Sequence, residues 1–221
     1  NVIKAVTTDD KEEIADLFNK YDLLSLPVVD HENRLVGIVT IDDAVDVMEE
    51  EATEDFEKMA AMHPSEKPYL KTGVFELAKN RIVWLLVLMI SSMLTGGILT
   101  RYEDAFKVMP LLVSFVPMLT DTGGNAGSQS STMIIRGMTI GEIASSDILK
   151  VIWKEARVSV IVGIILGAVN FIRLVAQYPG QPLVALTVVL ALFATVFVAK
   201  VIGGMLPIAA KKLHLDPAIM A

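Results

Sequence analysis

Residues 82–99 read IVWLLVLMISSMLTGGIL, an uncharged run long enough to cross a membrane as one helix. Comparable apolar runs follow at 108–135, 151–175 and 182–210, whereas residues 1–81 are dense in Asp, Glu and Lys. Hydrophobic residues make up 53% of the chain, which is high for a soluble protein. This division predicts a polar domain followed by an all-helical membrane domain, with the lipid bilayer as a partner.

Charge and residue types exclude several classes of function. The net charge is −7 and no basic stripe is visible, so nucleic acid is not expected as a partner. The absence of cysteine excludes disulfides and thiolate metal sites. Three histidines (His31, His63 and His214) are scattered, and no nucleophile lies at a suitable spacing from a base. The sequence therefore does not predict an enzyme.

Loop charges predict the orientation of the membrane domain. Basic residues are concentrated before the first span, between the second and third, and after the fourth: Lys71, Lys79, Arg81, Arg136, Lys150, Lys154, Arg157, Lys211 and Lys212. Because basic loops remain cytoplasmic, we expect a multi-pass plasma-membrane protein whose polar domain lies in the cytoplasm. Asp216-Pro217 is expected to begin a fifth span near residue 216. Lys200 interrupts the fourth span and must snorkel or face protein or water.

The polar segment has the pattern of a small α/β module. Its order is strand, helix, two strands joined by a polar turn at 31–33, and a second helix. The stretches LPVVD and RLVGIVT-x-x-D resemble the second half of a cystathionine-β-synthase (CBS) domain pair. That resemblance implies that Thr40 and Asp43 hold the ribose of ATP or another adenine nucleotide. Alternatively, Thr40 ends a strand and Asp43 caps the following helix.

The helix after Thr40 is strongly acidic. At 3.6 residues per turn, Asp43, Asp46 and Glu50 share one face, and Glu51, Glu54 and Asp55 share another. Like charges at this spacing repel each other, and a hard divalent cation relieves the repulsion because it prefers oxygen ligands. A solvated acidic helix is the alternative interpretation.

The stretch DTGGNAGSQSS at 121–131 is unusual for a membrane span. Its small residues, spaced four apart, let helices approach closely, but packing does not require the carboxylate of Asp121 or so many amides and hydroxyls. Pro117 is expected to loosen the helix and free carbonyl groups. The alternatives are an oxygen-rich pathway for a hydrated cation such as Mg²⁺ and a helix-packing surface alone. One carboxylate per chain suggests that a second subunit doubles the charge.

Taken together, the stretches LPVVDHENRLVGIVTIDDAVDVMEEEATEDF, DTGGNAGSQSST and LPIAAKKLHLDPA resemble the MgtE family of magnesium channels or transporters. The resemblance implies an α/β CBS module at 1–55, a connecting plug helix at 56–81 and a polytopic membrane domain at 82–221. It also implies a homodimer whose pore lies on the dimer axis and is lined by the second and fifth spans.

Residue roles follow from the same resemblance. Pore-lining positions are Asp121, Gly124, Asn125 and Ser128. Cytosolic Mg²⁺-sensing positions are Asp22, Asp43, Asp46, Glu51, Glu54, Asp55 and Asp216. The implied mechanism is Mg²⁺ influx down its electrochemical gradient, closed when cytosolic Mg²⁺ binds the acidic region. The remaining alternatives are transport of Mn²⁺, Co²⁺ or Ni²⁺, transport of an osmolyte or anion, and a membrane sensor that transports nothing.

Overall fold

The computed structural model describes residues 2–65 and 67–220. The chain forms two compact units. The first contains the residues up to Lys58 together with Pro64, Ser65 and Lys67, and the second contains Met59–His63 and the chain from Pro68 onward.

The first unit is a small α/β module with a three-stranded sheet. Strands β1 (Ala5–Val6), β2 (Ser25–Val29) and β3 (Leu35–Thr40) lie in the order β1-β2-β3. Helix α1 (Lys11–Tyr21) connects β1 to its parallel neighbour β2, and β2 pairs antiparallel with β3. Helix α2 (Ile41–Met59) follows β3 directly. The predicted CBS-like fold is confirmed.

The predicted hairpin turn is present between β2 and β3. Asp30 accepts hydrogen bonds on Oδ1 from the backbone N–H groups of Glu32 and Arg34. Asn33 adopts a positive φ of 61°, which asparagine tolerates better than most residues. These polar contacts close the turn, so the apolar strands on either side can pair.

The first unit has one apolar core. Ala5, Phe18, Leu26 and Ala44 are buried together and join the sheet to both helices. By contrast, Leu35 and Ile38 on β3 remain 66% and 64% exposed. The sheet is therefore covered on the side of α1 and α2, whereas β3 keeps exposed apolar side chains.

The second unit is helical. After a short 3₁₀ turn at Tyr69–Lys71 come α3 (Val74–Arg101), α4 (Glu103–Val108), a 3₁₀ segment at Pro110–Phe115 and α5 (Val116–Thr139). A 3₁₀ turn at Ser145–Asp147 leads into α6 (Ile148–Gln177), and α7 (Pro182–Lys212) and a 3₁₀ turn at Pro217–Met220 follow. Three segments of the described chain are long and apolar enough to cross a membrane, namely Val74–Arg101, Ser145–Gln177 and Pro182–Lys212.

Helices α5, α6 and α7 pack together, and α7 contacts both of the others. Apolar clusters lie along this bundle: Phe115, Leu174 and Val188 near one end, and Ile134, Val151 and Ile208 near the other. Helix α3 has no buried residue among those described. Its apolar side chains are left for lipid or for another chain.

The structure revises three local expectations. Pro117 lies in the first turn of α5, where its missing N–H costs nothing, so it starts the helix and does not loosen it. Helix α5 continues to Thr139, four residues beyond the expected end of this span at 135. Among the described residues of the connector at 56–81, the first four end α2, Tyr69–Lys71 form a 3₁₀ turn and those from Val74 begin α3.

Candidate ion pathway

Helix α5 has two faces of different character. One face is buried and includes Gly123, Ala126, Ser130, Ser131 and Ile134. The opposite face is exposed and carries Gly124 together with the polar residues Asp121, Asn125, Ser128, Gln129, Thr132 and Arg136. A membrane helix normally turns its apolar side outward, so this polar face requires water or protein beside it.

The glycines of α5 divide between the two faces. A Cβ on Gly123 would lie 2.7 Å from Thr195 Cγ2, and one on Gly127 would lie 3.4 Å from the Ala199 carbonyl oxygen. These two glycines permit close packing of α5 on α7. A Cβ on Gly124 meets nothing within 4 Å. Packing within the chain therefore explains Gly123 and Gly127 but not Gly124.

A cavity of about 680 Å³ borders the polar face. It brings together two of the predicted pore-lining residues, Asn125 and Ser128. The other two, Asp121 and Gly124, lie on the same face of α5 but outside the cavity lining. The remaining lining residues come from α5, α6 and α7 and are Gln129, Ser130, Thr132, Met133, Glu155, Val158 and Lys200.

One wall of the cavity contains a charged network that joins three helices. Lys200 Nζ on α7 donates to Ser130 Oγ on α5 at 3.1 Å. Ser130 Oγ donates to Glu155 Oε2 on α6 at 2.7 Å, and Lys200 Nζ lies 3.9 Å from the same carboxylate oxygen. The Lys200 and Glu155 side chains are 7% and 15% exposed. Lys200 therefore faces protein and pairs inside the bundle.

Sequence reasoning did not identify Glu155 as a site residue, and it placed Ser130 only among the hydroxyls of the stretch at 121–131. Glu155 resembled a residue of the membrane interface because Lys154 and Arg157 flank it. The usable signal was Lys200, since an ammonium group in an apolar span needs a counter-charge. Glu155 is a carboxylate in the preceding span and was available for that role.

The predicted nucleotide-binding pair lies at the junction of β3 and α2. Asp43 Oδ2 accepts hydrogen bonds from Thr40 Oγ1 at 2.7 Å and from the Thr40 backbone N–H at 3.2 Å. These hydrogen bonds lower the pKa of Asp43 below its ordinary value, the side-chain bond contributing more than the backbone bond. Asp43 therefore already binds Thr40 at the start of α2. Ribose binding by these two residues stays a prediction.

The acidic residues of α2 are partly matched by lysines. Lys11 Nζ on α1 lies 3.3 Å from Glu50 Oε2 and 3.2 Å from Glu51 Oε1. Lys58 Nζ lies 2.5 Å from Glu54 Oε1, one helical turn away. Lysine counter-charges thus already relieve part of the repulsion that the sequence predicts on this helix.

Helix α1 adds acidic groups to the same surface. Partial burial raises the pKa of Glu12, and the negative charges of Glu51, Asp16, Asp55 and Asp10 raise it further. Glu51 and Asp55, to which the family resemblance assigned cation sensing, therefore lie near Glu12 of another helix. Sequence periodicity within α2 alone did not show this neighbourhood.

The other predicted sensing residues belong to different elements of the chain. Asp46 is exposed on α2, and Asp22 ends α1 with a positive φ of 50°. Asp216 Oδ1 accepts a hydrogen bond from the Ala218 backbone N–H at 2.9 Å. Within residues 2–65 and 67–220, no three Asp, Glu or His side chains are arranged to hold a metal ion. The single chain therefore does not assemble the sensing residues into one site.

Comparison with known proteins gives two domain matches. Residues 116–221 match the model of the MgtE family, described as a divalent cation transporter, and residues 1–50 match the CBS domain model. The chain combines an MgtE-family domain with a CBS domain. The MgtE match covers α5, α6 and α7, which carry the polar face, the cavity and the charged network. The family resemblance found in the sequence is confirmed.

Relatives described as magnesium transporter MgtE align along the whole chain. One from Thermus thermophilus is 39% identical over 221 residues, which is 100% of this chain and 48% of the relative. One from Bacillus subtilis is 37% identical over 219 residues, covering 99% and 48%. One from Enterococcus faecalis is 29% identical over 218 residues, covering 99% and 47%. The chain thus spans about half the length of these relatives.

Proposed function

We propose that this chain is the CBS and membrane portion of a Mg²⁺-gated magnesium channel or transporter. Its membrane part supplies a pathway for hydrated Mg²⁺, and its acidic CBS module senses cytosolic Mg²⁺. Influx needs no pump, because a membrane potential of 100 mV favours entry of a divalent cation by about 4–5 kcal/mol.

The polar face of α5 carries the proposal. Asn125 and Ser128 border a cavity of about 680 Å³, and Asp121 and Gly124 lie on the same exposed face. Carboxylate, amide and hydroxyl oxygens are suitable partners for Mg²⁺ and for its bound waters. The volume is large enough for an ion that keeps its hydration shell.

A homodimer would explain why the polar face of α5 is exposed in the single chain. In one chain the polar face of α5 is exposed, which is costly beside lipid. A second subunit across a symmetry axis would enclose the two faces around a shared water-filled path and would double the carboxylates of Asp121. The exposed apolar helix α3 offers further surface for lipid or for that subunit.

The acidic surface supports the proposed gating. Glu51 and Asp55 of α2 lie near Glu12 of α1, whose pKa is raised first by partial burial and then by these neighbouring negative charges. A bound divalent cation favours whichever arrangement brings such carboxylates together, so cytosolic Mg²⁺ shifts the population toward a compact, closed state. Asp22, Asp43, Asp46, Glu54 and Asp216 complete the set of proposed sensing residues. The CBS module then lies on the cytoplasmic side.

Uptake into liposomes tests the proposed function. Full-length protein is reconstituted with a Mg²⁺-sensitive dye inside, and a negative internal potential is imposed. We expect dye-reported Mg²⁺ entry that is absent from protein-free liposomes, and competition by Mn²⁺, Co²⁺ and Ni²⁺ measures selectivity among divalent ions. Entry of an osmolyte or anion without Mg²⁺ entry would replace the proposal, and no flux of any kind would favour a membrane sensor.

A further inference from the structure

The proposed cation pathway contains a positive charge. Lys200 lines the same cavity as Asn125 and Ser128, and an ammonium group repels Mg²⁺. Glu155 also lines this cavity. Of the described residues that line it, these two carry a formal charge, so the cavity wall is neutral only while both are present.

The two charges are held together by specific contacts. Ser130 Oγ bridges them, accepting from Lys200 Nζ at 3.1 Å and donating to Glu155 Oε2 at 2.7 Å. Gly204 provides room for the Glu155 side chain, since a Cβ there would lie 2.9 Å from Glu155 Cγ. Each partner comes from a different helix, so the pair is fixed relative to α5 and its polar face.

Because Lys200 and Glu155 are largely buried, their charges act strongly on the electrostatic potential of the cavity. The Lys200 and Glu155 side chains are 7% and 15% exposed, so bulk water screens them little. Buried ion pairs of this kind contribute little to stability compared with apolar packing. A role in setting the local potential explains why such a pair lies at this point better than a role in stability does.

We infer that Glu155 and Lys200 form a charge-balanced pair that sets the electrostatic potential of the cavity and thereby its affinity for divalent cations. Glu155 offsets the repulsion that Lys200 exerts on Mg²⁺. Lys200 in turn prevents Glu155 from holding the ion too tightly to release it. This inference rests on the proposed function and adds two specificity-determining residues to it.

Opposite single substitutions separate an electrostatic role from a structural one. Glu155→Gln leaves a net positive wall and Lys200→Met a net negative wall, while the double variant restores neutrality. The half-saturating Mg²⁺ concentration for uptake by full-length protein in liposomes should rise about tenfold in Glu155→Gln and fall about tenfold in Lys200→Met, as one charge acting on a divalent ion across a water-filled cavity implies. The double variant should return to within about twofold of wild type.

A matched control is Glu142→Gln, an exposed carboxylate outside the cavity, which should keep the wild-type value. Each variant is first checked for folding by size-exclusion chromatography in detergent. If both single variants shift the half-saturating concentration in the same direction, or if both fail to fold while the double variant works normally, the pair is structural and the inference is overturned. Absence of Mg²⁺ uptake by wild-type protein would instead contradict the proposed function, so the two failures are distinguishable.

Discussion

Gly203 of α7 lies directly against Gly127 of α5: a Cβ on Gly203 would come within 3.0 Å of Gly127 Cα. The two backbones meet without side chains between them, which lets α5 and α7 approach closely. Ser130 and Lys200 are each three residues from this contact. The close approach therefore also fixes the network that joins α5, α6 and α7.

Gly203→Ala should separate α5 from α7 and lower stability by about 1–3 kcal/mol, because the added methyl group meets rigid backbone. Thermal unfolding of the detergent-solubilised protein measures the effect. Gly124→Ala is the matched control, since a Cβ there meets nothing within 4 Å and its melting temperature should stay close to that of wild type. Equal loss of stability in both variants would contradict the assignment of the two glycines to different faces.

Asp121→Asn should lower Mg²⁺ uptake severalfold, because it removes a carboxylate from the exposed polar face of α5 while keeping the shape of the side chain. The initial rate of dye-reported entry into liposomes is the measurement. Asp104→Asn, in the short helix α4, serves as an acid-to-amide control and should transport normally. An unchanged rate in Asp121→Asn would remove this residue from the pathway.

Neutralising Glu51, Glu54 and Asp55 together should leave uptake active when Mg²⁺ on the cytosolic side is high. These carboxylates lie on the acidic surface that we assign to cation sensing, and without them bound Mg²⁺ no longer favours the closed state. Single-channel recording across a range of cytosolic Mg²⁺ concentrations shows the change. A triple variant of other acidic residues in the module (Glu13→Gln, Glu32→Gln and Asp42→Asn) should keep normal inhibition, and full inhibition in the first variant would refute the assignment.

The Thr40–Asp43 hydrogen bonds should make the start of α2 sensitive to acid. Because they lower the pKa of Asp43 below 3.8, their stabilising contribution is complete above that value and is lost as the pH falls through the folded-state pKa. Thr40→Val should therefore lower the melting temperature at pH 7, with a smaller difference from wild type at strongly acidic pH. A difference that does not vary with pH would show that the hydroxyl acts without the carboxylate.

Glu12 should behave in the opposite sense. Burial and neighbouring carboxylates raise its pKa above 4.5, so ionisation costs stability at neutral pH, and this cost disappears as the pH falls below 4.5. In Mg²⁺-free buffer at pH 7, Glu12→Gln should raise stability by a few tenths of a kcal/mol, a value reduced by solvent screening. Denaturant unfolding at pH 7 and pH 4 provides the comparison, and greater stability of the wild type at pH 7 would contradict it.

Local patterns in the sequence predicted the local structure well. The polar turn at 31–33 between two apolar runs predicted the hairpin, and the small residues of DTGGNAGSQSS predicted close packing of α5. Two features were not predictable in this way. Whether Gly123 or Gly124 faces α7 depends on the rotation of α5 about its axis, and the pairing of Lys200 with Glu155 depends on the relative positions of three helices. Lys200 signals that a counter-charge is needed, but no local pattern gives the relative helix positions that select Glu155 or the rotation of α5.

Thiol labelling tests the central claim, that the polar face of α5 lines a water-filled cation path. The chain contains no cysteine, so single cysteines can be placed at Ser128 and, as a lipid-facing control, at Ile164, which is 60% exposed on α6. In reconstituted full-length protein without other accessible thiols, a charged, membrane-impermeant thiol reagent should modify Ser128→Cys rapidly, more slowly when Mg²⁺ is present, and should leave Ile164→Cys unmodified. Labelling of Ser128→Cys that is as slow as that of Ile164→Cys, with or without Mg²⁺, would contradict the account.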